Sequence, residues 1–183
     1  MIIAITGNIG SGKSTAAQFF EKKGYQIINA DIVGHELYKR REIKKRVVAR
    51  FGEGILTRGS VDRSKLKKIV FSDSQELKAL NAIMHPEILK ETTRAIASKN
   101  VAIEGALLIE AGFKGYDKLL LITIGHKEQL KRVLKRGKYK REEVENIIRA
   151  QMPQEQKMRH ADIVIDNSGT KQEFLKNLSK VLP

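Results

Sequence analysis

Ile2-Ile3-Ala4-Ile5-Thr6 is a short apolar run that stops at Gly7. A strand covered by helices on both faces needs such a run, so it predicts a buried parallel strand. The period then changes. Within residues 14–23, Ala16, Ala17, Phe19 and Phe20 recur at helical spacing, and Gly24 suits a left-handed helix end. Residues 25–29 predict a second strand, whose carboxyl end delivers Asp31, and residues 32–39 a second helix. From 42 to 99 the pattern predicts mostly helix and no strand, with stripes at Ile43, Val47, Val48 and Phe51, at Leu66, Ile69 and Val70, and at Leu77, Leu80 and Ile83. Gly52-Glu53-Gly54 and Gly59-Ser60 predict loops, and Pro86 the first turn of a further helix through Ile88, Leu89 and Ile96.

Strand character returns at 101–103, 119–124 and 163–166, with a charged helical stretch between the last two. A closing helix over 172–182 has Thr170 as its expected N-cap. Strands separated by helices imply right-handed crossovers and a doubly wound sheet. The expected class is therefore α/β, a three-layer α/β/α sandwich on a five-stranded parallel sheet.

With 183 residues the chain is long enough for one sizeable core, and its 41% hydrophobic content is that of a globular protein. Cysteine is absent, which removes disulfides, thiol nucleophiles and thiolate metal sites. The first residues lack the features of a secretory signal, and no apolar run approaches the roughly 20 residues that cross a bilayer. A cytoplasmic protein without membrane association is expected. Lys and Arg outnumber Asp and Glu by 35 to 21, a formal charge of +14, so an anionic partner is expected without the anion being specified.

Gly7-Asn8-Ile9-Gly10-Ser11-Gly12-Lys13-Ser14 narrows that choice. It matches the phosphate-binding loop G-x-x-x-x-G-K-[ST] at every fixed position and lies between a predicted strand and a predicted helix. Glycines let successive amides turn inward around an anion, and the following helix adds its positive end. The expected ATP-binding set is Asn8, Ile9, Gly10, Ser11, Gly12, Lys13, Ser14 and Thr15, with Lys13 at the β- and γ-phosphates and the Ser14 hydroxyl as a Mg²⁺ ligand. No Asn-Lys-x-Asp segment of a GTPase follows, nor a hydrophobic run closing in Asp-Glu, which leaves a small kinase.

Such an enzyme needs a group facing the acceptor hydroxyl and a basic lid over the phosphates. Asp31, at the carboxyl edge of the sheet, is the candidate for the first; an N-cap is its alternative reading. Glu104 and Glu110 flank the end of the third predicted sheet strand, as Mg²⁺ partners through water or as solvated carboxylates. The basic run over 127–141 is either a solvated helix face or a source of catalytic guanidinium groups, with Arg132 and Arg136 on one helix face as candidates and Gly137 as a hinge. A nucleic-acid-binding protein is the alternative of another class, but 5% aromatic residues offer no stacking platform.

Together these residues resemble the dephospho-coenzyme A kinase family, of the nucleoside monophosphate kinase-like group with a P-loop kinase fold. Besides the loop, the resemblance rests on Asn29-Ala30-Asp31, His35-Glu36-Leu37, Phe71-Ser72-Asp73, Leu80-Asn81-Ala82-Ile83 and His85-Pro86. It continues through Leu107-Leu108-Ile109-Glu110-Ala111-Gly112, then Gln129, Arg132 and Arg136, Gln151-Met152-Pro153, and Ile165-Asp166-Asn167-Ser168-Gly169. The resemblance implies ATP-dependent phosphorylation of the ribose 3′-hydroxyl of dephospho-coenzyme A, the last step of coenzyme A synthesis. It implies Asp31 as base and Asn167 beside the adenine, with His85 either an acceptor contact or a capping or core residue; Lys13, Arg132 and Arg136 complete the expected catalytic set, and Glu110 is a further expected acceptor contact.

The same resemblance implies one domain with a core over about 1–41, 100–126 and 150–183, a helical acceptor-binding insert over 42–99 and a lid over 127–149. Its substrates, ATP and dephospho-coenzyme A, are both polyanions, so no nucleic acid is expected, and a monomer or weak oligomer is. One stretch departs from the family pattern: Glu104-Gly105-Ala106 precedes the paired leucines where an aspartate and a proline are usual. Glu104 is thus the candidate metal carboxylate in place of the aspartate. A nucleoside or nucleotide kinase of the same group is the neighbouring alternative.

Overall fold

The structure, a computed structural model, describes residues 1–182. Five parallel strands form one sheet: β1 (Ile2–Thr6), β2 (Gln26–Asn29), β5 (Val101–Glu104), β6 (Lys118–Thr123) and β7 (Ile163–Asp166), in the order β2-β5-β1-β6-β7. Ile3 and Ile5 point to one face and pack with Phe20, Leu120, Ile122, Ile165 and Phe174. There α1 (Lys13–Glu21) and α9 (Lys171–Ser179) cover the sheet. The alternate residues Ala4, Ile103, Leu119 and Leu121 are equally buried, so both faces are closed to water, as the unbroken apolar runs require.

Two compact units divide the chain: Met1–Asn29 together with the chain from Ala95 on, and Ala30–Arg94. The first holds the sheet with α6 (His126–Lys135), α7 (Arg141–Ala150) and α8 (Gln154–Met158). Leu130 and Val133 of α6 pack on Val144 of α7, and Ile9, the middle of the glycine loop, joins that cluster. Gly137 takes φ +67 just beyond α6, where a left-handed residue ends a helix. The expected N-cap at Thr170 forms, its side chain accepting from Glu173 N.

The second unit is built from α2 (Ala30–Leu37), α3 (Arg41–Phe51), α4 (Arg63–Ser72) and α5 (Ser74–Arg94) around Leu37, Val47, Leu66, Val70 and Met84. Two expectations are corrected in it. A hairpin, β3 (Leu56–Thr57) with β4 (Ser60–Val61), stands where no strand was expected; two-residue strands are too short to show a period. Pro86 lies inside α5 rather than opening a helix. Proline costs that helix a hydrogen bond, but Leu80 and Met84 before it and Ile88 after it enter one apolar cluster, which carries the helix across.

Candidate active site

The glycine loop leaves the carboxyl end of β1 and enters α1 at Lys13. None of its three glycines can be exchanged: Gly7 has φ +147, and a Cβ there would collide with Ile122 O. Gly10 has φ +79, and a Cβ there would stand 2.7 Å from Val133 Cγ2 of α6. Gly12 has φ +107, and a Cβ there would collide with the Asn167 amide. No side chain caps α1, so its N-terminus keeps the polarity that suits an anion.

Both flanks of the loop are held by side chains. Asn167, 7% exposed, donates Nδ2 to Ser11 O at 2.7 Å. Gln129 donates Nε2 to Ile9 O at 2.8 Å, and Ile9 N donates to Gln151 Oε1 at 3.0 Å, so two glutamines grip one residue from either side. Asn8 Nδ2 reaches Met152 O at 3.4 Å. Lys13 is buried, with Nζ donating to Gly7 O at 2.9 Å and reaching Asn8 O at 3.4 Å. Its ammonium therefore lies against the loop, where phosphate oxygens can replace these carbonyls.

Ser14 begins the exposed rim of α1, and its Oγ donates to Glu104 Oε1 at 2.8 Å. The other carboxylate oxygen accepts from Asn29 Nδ2 at 3.1 Å, so residues at the ends of β2 and β5 and the start of α1 meet on one buried carboxylate. Hydroxyl and carboxylate oxygens are hard donors of the kind Mg²⁺ takes alongside water and phosphate. Glu104 reaches the Ser14 hydroxyl directly, and the two together are a donor set that fits the ion.

On α6, Arg132 gives Nε to Glu128 Oε1 at 3.0 Å, and this hydrogen bond holds the Glu128 carboxyl below its ordinary range. The two terminal nitrogens of the guanidinium fork are not used in that contact. Arg136 is exposed at the C-terminal end of α6. Glu110 faces a lysine: Lys157, fully buried, places Nζ 2.9 Å from Oε1 and donates to Ala106 O at 2.7 Å. The same Oε1 accepts from Met152 N at 3.0 Å, while Oε2 is buried without a hydrogen-bond partner.

In the helical unit, Asp31 is exposed in the first turn of α2, two residues beyond the end of β2, and is not the N-cap of that helix. His35 follows one turn later, with its ring nitrogen Nε2 2.5 Å from Arg63 Nη2. His85 lies in the middle of α5, directly before Pro86. The spacing arguments gave no role to Gln129, Gln151, Lys157 or Arg63. A buried glutamine beside Leu130 and Val133 is the signal that reveals Gln129, since a polar group inside an apolar stripe needs a partner.

The family model for dephospho-CoA kinase matches residues 1–173. An Aquifex aeolicus protein of that name is 40% identical over 188 aligned residues, covering 98% of this chain and 94% of its own. A crystal structure of a Thermus thermophilus protein superposes with a TM-score of 0.82 at 36% identity, covering 100% of this chain and 95% of that one. The structure of dephospho-CoA kinase from Campylobacter jejuni gives 0.68 at 25% identity, covering 99% and 94%. The chain belongs to the dephospho-CoA kinase family, ATP-dependent phosphotransferases of the final step of coenzyme A synthesis.

Proposed function

We propose that this chain transfers the γ-phosphate of ATP to the ribose 3′-hydroxyl of dephospho-coenzyme A with the residues assigned below. The observation that carries the assignment is the Ser14 hydroxyl seated on Glu104 at the mouth of the glycine loop. Loop amides from Asn8 to Thr15 hold the triphosphate tail, Lys13 offsets charge on its β- and γ-phosphates, and Asn167 stands beside the adenine. Ser14, with Glu104 acting directly or through water, would hold Mg²⁺. That ion when bound supplies charge neutralisation on the phosphate oxygens.

Asp31 accepts the proton of the 3′-hydroxyl as its oxygen bonds to the γ-phosphorus. The bond from that phosphorus to the β–γ bridging oxygen breaks, and ADP leaves with the bond's electrons. Arg132 and Arg136 stabilise the charge spread over the transferring group. His85, on α5, and Glu110 are candidate acceptor contacts.

In this reading residues 42–99 form the acceptor-binding insert and 127–149 the lid of a single domain whose core is 1–41, 100–126 and 150–183. The protein works in the cytoplasm as a monomer or weak oligomer, without nucleic acid or membrane. Among the described residues no helix is long and apolar enough to cross a membrane. The +14 charge suits two polyanionic substrates.

Incubation with ATP, Mg²⁺ and a panel of hydroxyl acceptors tests the reading. Coenzyme A and ADP in equal amounts from dephospho-coenzyme A are expected. ATP consumption only with nucleosides or nucleoside monophosphates would replace the acceptor, and no acceptor-dependent turnover would end the proposal.

A further inference from the structure

Four arginines of the helical unit face carboxylates: Arg40 and Arg94 on Glu91, Arg46 on Glu87 and Arg50 on Glu76. Arg63 does not. It is half-buried, and among the described residues no carboxylate lies within ion-pair distance of it. Its guanidinium meets the imidazole of His35 instead, Nη2 to Nε2 at 2.5 Å. A guanidinium has only N–H donors, so the imidazole accepts at Nε2 and is neutral in this contact. Burial first, and then the Arg63 charge, push the His35 pKa down, in keeping with that neutral form.

The neighbouring acid is engaged elsewhere. Asp62 caps α4, its Oδ1 accepting from Ser64 N and Lys65 N, and its Oδ2 accepts from Thr57 Oγ1 at 2.8 Å. Asp62 N in turn donates to Ile55 O at 2.8 Å. The short hairpin thus fixes the start of α4 and the backbone from which Arg63 projects, and uses up the carboxylate beside it. The result is a positive charge held in place by a neutral partner one α2 turn from Asp31; Asp31, Glu36 and Lys67 act electrostatically on His35, and Arg63 on Tyr38, but among the described residues no carboxylate pairs with the guanidinium. A partly desolvated cation without an anion is costly, and an anionic group of a ligand relieves that cost.

We infer that Arg63, positioned by His35, is a binding residue for the diphosphate of the acceptor. The inference rests on dephospho-coenzyme A being that acceptor: its fixed charge is the diphosphate, which the reaction leaves untouched. A planar fork suits two oxygens of such a group. The diphosphate is unchanged by the reaction, so a contact to it from α4 contributes binding to ground state and transition state alike and enters KM more than kcat.

Steady-state kinetics of Arg63→Ala, Arg63→Lys, His35→Ala and the Arg63→Ala/His35→Ala pair test this. Wild-type turnover with dephospho-coenzyme A is measured first, and its absence would refute the reaction rather than the role of Arg63. Arg63→Ala is expected to raise KM for dephospho-coenzyme A roughly 10- to 100-fold, the loss of a hydrogen bond to a charged group. KM for ATP stays within about twofold, and the salt dependence of the acceptor KM becomes shallower. Arg63→Lys recovers part of the affinity by keeping the charge without the fork.

His35→Ala raises the acceptor KM less than Arg63→Ala, and adds nothing once Arg63 is gone, because it acts through that residue. Should Arg63→Ala fail to fold, Arg63→Gln keeps the bulk, removes the charge and is expected to give the same split. An acceptor KM that does not move, a parallel rise in the ATP KM, or an unaltered salt dependence overturns the inference.

Discussion

Ser14 Oγ and Glu104 Oε1 stand 2.8 Å apart, joining the first turn of α1 to the end of β5 across ninety positions of sequence. The hydroxyl proposed as a magnesium ligand is thus oriented by a buried carboxylate, which Asn29 holds from its other side. Glu104→Gln keeps both hydrogen-bonding positions and removes the charge. The Mg²⁺ concentration for half-maximal turnover is expected to rise about 10- to 100-fold, with little change in melting temperature. A magnesium titration checks it, and an unchanged midpoint would remove Glu104 from the metal site.

Lys13 and Asp31 are assigned to different parts of the reaction and should fail differently. Lys13→Ala removes the cation folded against Gly7 O and Asn8 O, and turnover is expected to drop on the order of 100- to 1,000-fold. Asp31→Asn is expected to lower kcat on the order of 100- to 10,000-fold while ATP binding by calorimetry stays near wild type. Equal losses of rate and ATP affinity in Asp31→Asn would contradict its assignment as base.

Lys157 and Glu110 form an ion pair with the lysine fully out of water. Lys157→Met leaves Glu110 largely buried without its counter-charge, and about 3–5 kcal/mol of unfolding free energy is expected to be lost. Replacing both, as Lys157→Met with Glu110→Leu, is expected to recover most of that loss, because an apolar pair needs no solvation. Chemical denaturation of the two variants decides; a double variant as unstable as the single one would show that Glu110 matters chiefly through Met152 N.

His35 gives a pH signature. Its pKa is lowered from 6.5 by burial and then by Arg63, so on acidification the unfolded chain takes up this proton before the folded one. Stability tied to this group is complete above 6.5 and declines as pH falls from there toward the lower folded value. The melting-temperature difference between wild type and His35→Asn should be flat above neutrality and shift against wild type below it. A difference independent of pH would mean that the ring is not held neutral by its neighbours.

Much of the fold was legible in order along the chain. Unbroken apolar runs at residues 2–6 and 119–124 became central strands because both faces of a parallel sheet are covered, which leaves no polar side to show. The β3–β4 hairpin was not legible: with two residues to a strand, register comes from the cap at Asp62 and the packing of Ile55, not from a pattern. Pro86 misled for a related reason, since a proline's local preference for a helix start was outweighed by apolar contacts on either side of it.

The amino-acid sequence by itself determined the anion-binding loop, because glycine spacing, lysine and serine are local requirements of a backbone that wraps phosphate. Tertiary structure alone decided which distant groups serve that loop. Asn167 reaches Ser11, Gln129 and Gln151 close on Ile9, and Glu104 meets Ser14, each over separations at which no sequence period operates. Such pairings come from strand order and helix packing, which place the carboxyl ends of β2, β5 and β7 around the start of α1 only once the sheet has formed.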